Sequence, residues 1–185
     1  MSDLKKGCTR KDSQQIVSGG LLRIFGLGIL IIGDSGIGKS ETALELVSRG
    51  HKFVSDDVTV ITKDSKGKIS GAAPDLSKDY MEIRGLGIIN VREIYGKILI
   101  LQKMAVNLVV ELKKWEKGKD YDRLGLTNYG KHLLLDEEIP LISIPVAPGR
   151  NMGTLIEVAC KVHLLKKKGY HAPLEIANKL NRVLK

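Results

Sequence analysis

The sequence predicts a mixed α/β fold, and three observations predict it. An apolar run over residues 27–32 leads straight into the glycine-rich segment Gly33-Asp34-Ser35-Gly36-Ile37-Gly38-Lys39-Ser40, which leads into a helical stretch. Several other stretches are short, rich in β-branched residues and bounded by turn residues, as strands are. Two segments near the end of the chain repeat apolar residues at helical spacing. Direct strand-to-strand connections outnumber strand–helix–strand ones, so the regular alternation of a doubly wound fold is not expected. The 185 residues suit one sizeable domain, and 43% hydrophobic but only 4% aromatic residues predict an aliphatic core. Residues 1–15 are polar and mixed in charge and are expected to form a flexible segment, with 16–185 as the domain.

Each element has its own signal. Residues 21–25 and 27–32 read as strands, the second buried on both faces because no polar residue alternates within it. Lys39–Ser48 reads as a helix stopped at Arg49-Gly50, where glycine accepts a left-handed conformation. Residues 53–61 read as a single strand. Asp64-Ser65-Lys66-Gly67 is a turn, after which 68–72 pairs back. Residues 81–83 are extended and broken by Gly85 and Gly87. Residues 98–102 and 107–112 read as an antiparallel pair, 114–130 as polar loop, and 141–144 as a strand ended by Pro145 and Pro148. Asn151 caps a helix in which Leu155, Val158, Ala159, Val162 and Leu165 recur. Pro173 opens the last helix, where Leu174, Ala177, Leu180 and Leu184 share a face.

Composition excludes several classes. The net charge is +9, but the basic residues are scattered and no basic stripe is interleaved with aromatics, so nucleic-acid binding is not expected. The run Lys166-Lys167-Lys168 precedes Gly169 at an expected helix end, where cations complement the dipole. The longest apolar stretches, 27–32 and 98–101, are too short to span a membrane. The first residues do not have the pattern of a signal peptide. Cys8 and Cys160 match no metal or redox spacing and suit two thiols in a reducing compartment. A cytoplasmic location is therefore expected.

Gly33 to Ser40 fits the phosphate-loop pattern G-x-x-x-x-G-K-[ST] in full, between a strand and a helix as the chemistry requires. Its glycines let successive N–H groups turn toward one phosphate, and the helix N-terminus adds positive potential. Lys39 would neutralise charge on the β- and γ-phosphates, and the Ser40 hydroxyl would ligate Mg²⁺. The guanine-reading N-K-x-D pattern has no full match. Asn178-Lys179-Leu180-Asn181 lacks the aspartate, which disfavours a GTPase.

Asp56 and Asp57 lie inside an apolar stretch and, in a strand, would point to opposite faces. One of them must then face a core or a site, as a Mg²⁺ ligand or as a base that deprotonates an attacking hydroxyl. Alternatively, the pair ends a strand and faces water. In the extended segment Met81-Glu82-Ile83-Arg84-Gly85-Leu86-Gly87-Ile88-Ile89-Asn90, Glu82 and Arg84 share a face, suited to metal and phosphate oxygens or to a surface ion pair. Arg123 and Arg150 are each able to stabilise a transferring phosphoryl group, or to sit as ordinary surface arginines.

Taken together, these motifs resemble the catalytic domain of bacterial HPr kinase/phosphorylase. The resemblance runs from about residue 16 to about 172. It rests on the phosphate loop, the paired aspartates, the segment Met81 to Asn90, Tyr121-Asp122-Arg123-Leu124-Gly125 and Pro148-Gly149-Arg150-Asn151, in that order. It implies a P-loop fold akin to phosphoenolpyruvate carboxykinases and a hexameric assembly. It also implies an ATP- and Mg²⁺-dependent serine kinase acting on HPr, the small phosphocarrier of the sugar phosphotransferase system, with reversal by inorganic phosphate. By resemblance, Lys39 is catalytic, Ser40 and Glu82 hold Mg²⁺, Asp57 accepts the serine proton and Arg123 is a further active-site residue; Asp57 is also expected to join Ser40 and Glu82 as a Mg²⁺ ligand. The segment Pro145 to Arg150 matches the part tied to dephosphorylation.

Three departures accompany the resemblance. Where the family has a catalytic histidine, this chain has Ser18, which cannot titrate near neutral pH. Where the family usually has an arginine, it has Ala147. Few residues precede the matched region, so the N-terminal domain of many members is expected to be missing. A kinase with little phosphorylase activity is the expectation. The rival readings are a kinase of the same branch acting on another protein serine or a small hydroxylated molecule, a nucleotide-sensing module without transfer activity, and a nucleic-acid-stimulated ATPase.

Overall fold

The computed structural model describes residues 13–116, 118 and 129–183, and every structural statement below concerns these. Strands β1 (Gln14–Ser18), β2 (Gly20–Ile24) and β3 (Leu27–Gly33) lead to helix α1 (Lys39–Ser48). Then come β4 (Lys52–Ser55), β5 (Val58–Lys63), β6 (Ile69–Ala72), and the hairpin β7 (Tyr80–Ile83) and β8 (Gly87–Asn90). A short helix, α2 (Val91–Tyr95), is followed by β9 (Met104–Ala105), β10 (Leu108–Lys114), β11 (Tyr129–Leu134) and β12 (Glu137–Val146). Helices α3 (Met152–Lys167) and α4 (Ala172–Val183) complete the chain.

Three layers result. The central sheet has the order β11-β12-β10-β3-β2-β4, in which β3, β10 and β12 run parallel and the others antiparallel to their neighbours. A second sheet, β1-β5-β6-β9, covers one face of it, and α1 and α3 cover the other. Alternation along the strands explains how one run of apolar residues serves both sides. Leu22, Ile29, Ile31, Leu108 and Val110 face Ala43, Leu46, Val47, Ile156 and Cys160 in the helical core. Leu21, Leu30 and Val109 face Ile61, Ile69 and Leu134 in the core between the sheets. Full burial of each such side chain contributes about 1.5–3 kcal/mol.

Several expectations are met closely. The loop helix spans Lys39–Ser48, Asn151 caps α3 by accepting from the Thr154 N–H at 2.6 Å, and Asp64 Oδ1 accepts from the N–H groups of Lys66 and Lys68 in its turn. Others are corrected. The expected strand over 53–61 is two strands in two different sheets, because the chain bends at Asp56-Asp57 and Asp57 takes φ 55°. The expected antiparallel pair over 98–102 and 107–112 does not form. Ile100 bridges Phe53 instead, and β10 pairs in parallel with β3 and β12, where its apolar residues are buried on both faces. The expected strand 141–144 is the middle of β12, which pairs with β11, a strand that begins at residues 129 and 130 in the stretch read as polar loop. Pairing also begins at Gln14, within the segment expected to be flexible.

β9 crosses directly over β3, and Gly28 makes this possible. A Cβ at Gly28 would lie 1.8 Å from the carbonyl oxygen of Ala105. Asn107 then locks the crossing: its Oδ1 accepts from the Gly28 N–H at 2.8 Å, and its own N–H donates to the Gly28 carbonyl at 2.8 Å. Gly28→Ala is expected to destabilise the domain by about 3 kcal/mol or more, since backbone rather than a rotatable side chain must move. Urea unfolding of the two proteins measures this as a lower midpoint.

Candidate active site

The loop that follows β3 is built around its own lysine. Lys39 is buried, and its Nζ donates to the carbonyls of Gly33 at 2.9 Å and Asp34 at 3.0 Å, drawing the start of the loop toward the helix. Gly38 precedes α1 at φ 101°, a left-handed conformation suited to glycine, and no side chain caps the helix. The first-turn amides of α1 are therefore left for a ligand, at the positive end of the helix dipole. Arg84 reaches the loop from the β7–β8 turn. A Cβ at Gly36 would lie 3.2 Å from Arg84 Nη2, so the glycine leaves room for the guanidinium.

The bend between β4 and β5 brings both aspartates to this loop by different routes. Asp56 is buried in the cavity wall with Ser40 and Glu82, and their nearby polar groups hold its carboxyl down against the larger rise that burial imposes. Its Oδ1 is buried without a hydrogen-bond partner. Burial raises the Asp56 carboxyl above its ordinary pKa, and the nearby Asp57 charge adds to the rise. Asp57 is exposed, and its carbonyl accepts from the Gly19 N–H at 2.7 Å. Beneath this bend, Ser55 Oγ pairs with Thr59 Oγ1 at 2.7 Å and Thr59 Oγ1 donates to the Gly19 carbonyl at 2.7 Å, so buried hydroxyls hold the turn.

Ser35, Gly36, Gly38, Lys39, Ser40, Glu41, Asp56, Asp57, Glu82 and Arg84 thus enclose one cavity of about 160 Å³. Cations from the loop and from Arg84 face carboxylates from the bend and from β7 across it. A triphosphate with a hard divalent cation suits such a lining. The oxygen donors of Ser40, Asp56 and Glu82 fit Mg²⁺, which takes one or two carboxylates together with phosphate oxygens. The lone buried Oδ1 of Asp56 is a donor in need of a cation or a proton. Among the described residues no cluster of three or more His, Cys, Asp or Glu is placed to hold a metal ion by itself.

A family model described as HPr Serine kinase C-terminal domain matches residues 11–180. The chain belongs to this family. It is 46% identical over 168 residues to the HPr kinase/phosphorylase of Caldanaerobacter subterraneus subsp. tengcongensis, covering 90% of this chain and 54% of that protein. It is also 46% identical over 164 residues to the HPr kinase/phosphorylase of Geobacter sulfurreducens, covering 89% of this chain and 51% of that one. The chain therefore spans about half the length of these curated relatives. The solved structure of the HPr(Ser) kinase/phosphatase from Coxiella burnetii superposes with a TM-score of 0.78 at 34% identity, over 88% of this chain and 98% of that one. The P-loop fold implied by the family resemblance is thus the fold observed.

The sequence located this site only in part. Gly33, Asp34, Ser35, Gly36, Ile37, Gly38, Lys39 and Ser40 form the loop as expected, and Glu82 and Arg84 meet it. Asp56 was singled out only as half of a pair, yet it is the aspartate beside Ser40, while Asp57 stands on the solvent side. The dipeptide itself was the available signal, but which carboxylate turns inward depends on the bend. Ser18 pairs with Val58 in β1–β5, next to Asp57 in sequence, and does not line the cavity. Arg150 is placed elsewhere. Its Nη1 donates to the Pro145 carbonyl at 2.8 Å, and it lines a separate, largely apolar groove of about 410 Å³ along β12 and α3. The expectation for Arg123 lies outside the described residues.

The raised Asp56 pKa has a consequence for stability. A carboxyl whose folded pKa exceeds its unfolded one favours the fold while protonated, and that contribution is lost as pH rises through the folded pKa. Asp56→Asn is expected to raise the ligand-free melting temperature at pH 7.5, by a few degrees if about 1 kcal/mol is recovered, with the gain fading as pH falls below the carboxylate range. Calorimetry across pH measures the difference between the two proteins.

Proposed function

We propose that this domain transfers the γ-phosphoryl group of ATP to a serine hydroxyl of HPr, the small phosphocarrier of the sugar phosphotransferase system. The observation that carries the reading is the single cavity in which Lys39, Ser40, Asp56, Asp57, Glu82 and Arg84 converge. Membership of the HPr serine kinase family and relatives named HPr kinase/phosphorylase support the choice of acceptor.

In this reading the loop amides and Lys39 bind the phosphate chain, and Arg84 meets oxygens of the transferring group. Ser40, Asp56 and Glu82 hold Mg²⁺, a set that moves Asp57 out of the ligand group expected from the sequence. When bound, the ion neutralises charge between the β- and γ-phosphates. Asp57 is left free to take the proton of the incoming serine. Its position supports this, since it belongs both to the phosphate cavity and to the adjoining hollow bounded by Leu76, Tyr80 and Ile88. An acceptor entering by that hollow meets the carboxylate before the phosphate. Arg123 remains a proposed active-site residue through the family resemblance. A homo-oligomer, hexameric by the same resemblance, agrees with the exposed apolar residues Val158, Val162, Leu165, Leu174, Ile176 and Leu180 on the last two helices. A cytoplasmic location follows from the proposed acceptor, and no described helix is long and apolar enough to cross a membrane.

The reverse reaction is proposed to be weak. Ser18 pairs with Val58, the residue after Asp57, but offers no titrating ring to assist the carboxylate, and Ala147 offers no cation for an additional phosphate.

Radiolabelled ATP with HPr is expected to yield phosphoserine on HPr. Asp57→Asn should retain ATP binding while transfer falls by roughly 100-fold or more. Undiminished transfer by that variant would remove the base role, and absence of any labelled HPr with the unaltered chain would remove the acceptor. In the other direction, phospho-HPr with inorganic phosphate is expected to lose its serine phosphate far more slowly than it is formed. Equal rates would show that neither Ser18 nor Ala147 limits reversal.

A further inference from the structure

Glu82 and Arg84 reach the phosphate loop from a hairpin that belongs to neither large sheet. β7 and β8 have four residues each and form a two-stranded sheet of their own. A lone hairpin of that size is marginal in water, so its placement has to come from what surrounds it. Met81 and Ile83 supply one hold, since both are buried in the helical core while Glu82 between them lines the cavity. Burial of apolar surface is non-directional. It keeps the hairpin down on the core but does not by itself fix where Glu82 and Arg84 point.

The directional bonds lie at the open end of the hairpin, opposite the turn that bears Arg84. Asp79 directly precedes β7, and Val91 directly follows β8. The Val91 N–H donates to the Asp79 carbonyl at 2.8 Å, and Arg92 Nη2 pairs with Asp79 Oδ2 at 2.8 Å. Asp79 takes φ 69°, a left-handed conformation that persists outside glycine where neighbouring contacts impose it. The Asp79 side chain is only 14% exposed and that of Arg92 33%, so the pair is partly withdrawn from water and stronger than an open surface pair. Val91 is fully buried and opens α2, which Asn90 caps by accepting from the Glu93 N–H at 3.2 Å. The two ends of the hairpin are thus tied to each other and to an anchored helical turn.

We infer that Asp79 and Arg92 are positioning residues for phosphoryl transfer: their ion pair clasps the base of the β7–β8 hairpin and sets the place of Glu82 and Arg84 at the loop. The inference rests on the reading of that loop as a phosphoryl-transfer site. Neither residue lines the cavity, so the effect passes through the hairpin. The leverage is considerable. A strand rises about 3.3 Å per residue, so Glu82 stands about 10 Å from the clasp, and a tilt of roughly 10° there moves it by about 1.7 Å. Displacements of that order at a reacting site cost up to about 100-fold in rate.

The test compares the unaltered chain with Arg92→Lys, Arg92→Gln, Asp79→Asn, and Asp79→Asn together with Arg92→Gln. In the ligand-free proteins, hydrogen exchange across residues 80–91 is expected to be faster in the Gln and Asn variants, with β3 and β10 unchanged. Transfer from ATP to HPr is expected to fall by about tenfold or more in kcat. The Mg²⁺ concentration for half-maximal ATP binding is expected to rise severalfold, because Glu82 is the carboxylate displaced. The double variant should lose no more than the worse single one, since both changes remove the same pair. Arg92→Lys, which keeps a cation within reach, is expected to recover part of the loss. Normal kcat and Mg²⁺ dependence in Arg92→Gln overturn the inference. A loss of transfer that tracks a lowered melting temperature, with Mg²⁺ dependence and hairpin exchange unchanged, also overturns it, since that marks a purely structural pair. If the Gln and Asn variants do not fold, Arg92→Lys decides by the same readouts: an intermediate loss is expected, and unchanged Mg²⁺ dependence overturns the inference. No transfer by the unaltered chain removes the phosphoryl-transfer reading itself, and the positioning role falls with it.

Discussion

At the point where the chain passes from the central sheet to the covering sheet, a carboxylate is buried against the hydroxyl that follows the loop lysine. β4 ends at Ser55, β5 begins at Val58, and the two residues between them turn in the left-handed region at Asp57. The turn is pinned by buried Ser55 and Thr59 hydroxyls and by the Gly19 N–H on the Asp57 carbonyl. Because those bonds are buried, the turn has little freedom, and it carries Asp56 into the cavity lining beside Ser40. The rest of the site is arranged around that delivery: the β7 carboxylate Glu82 and the turn residue Arg84 meet the loop from the same side.

An ionised carboxylate in that position opposes folding of the ligand-free domain, as its raised pKa records. The surrounding layers offset this. One face of the central sheet is sealed by α1 and α3, the other by a second sheet, and the apolar residues of β2, β3 and β10 are buried between them. A ring of polar bonds on the outside ties the loop helix to α3. Arg49 donates to Glu45, Thr154, Glu157 and Asn151, and the Asn151 amide in turn donates to Glu45. Exposed pairs of this kind contribute modestly one by one, but the network fixes the angle at which α1 leaves the loop. Strain at a functional bend and stability in the flanking layers are thus carried by different parts of the same fold.

The charges of the site divide the surroundings of the loop into two sides. Toward β7 lie carboxylates and an apolar hollow, suited to a polypeptide carrying a hydroxyl. Toward β10 and β12 lies a cleft lined by Asp34, Ser35, Ile37, Lys114 and Val146. The separation suits a reaction in which one partner donates a phosphoryl group and the other receives it in line.

Local patterns determined much of this by themselves. The loop from Gly33 to Ser40, the bounds of α1, the caps of α3 and the turn at Asp64 depend on contacts within a few residues, so a single stretch of sequence suffices to specify them. The order of the motifs also carried the family. Tertiary structure alone decided which strands pair, because an apolar run such as that of β10 is compatible with a hairpin or with a buried parallel strand until its neighbours are known. It also decided that Asp56 rather than Asp57 meets Ser40, and that Arg150 stands apart from the loop. The direction of a side chain at a bend follows from backbone angles that distant hydrogen bonds impose, and no pattern confined to adjacent residues encodes those.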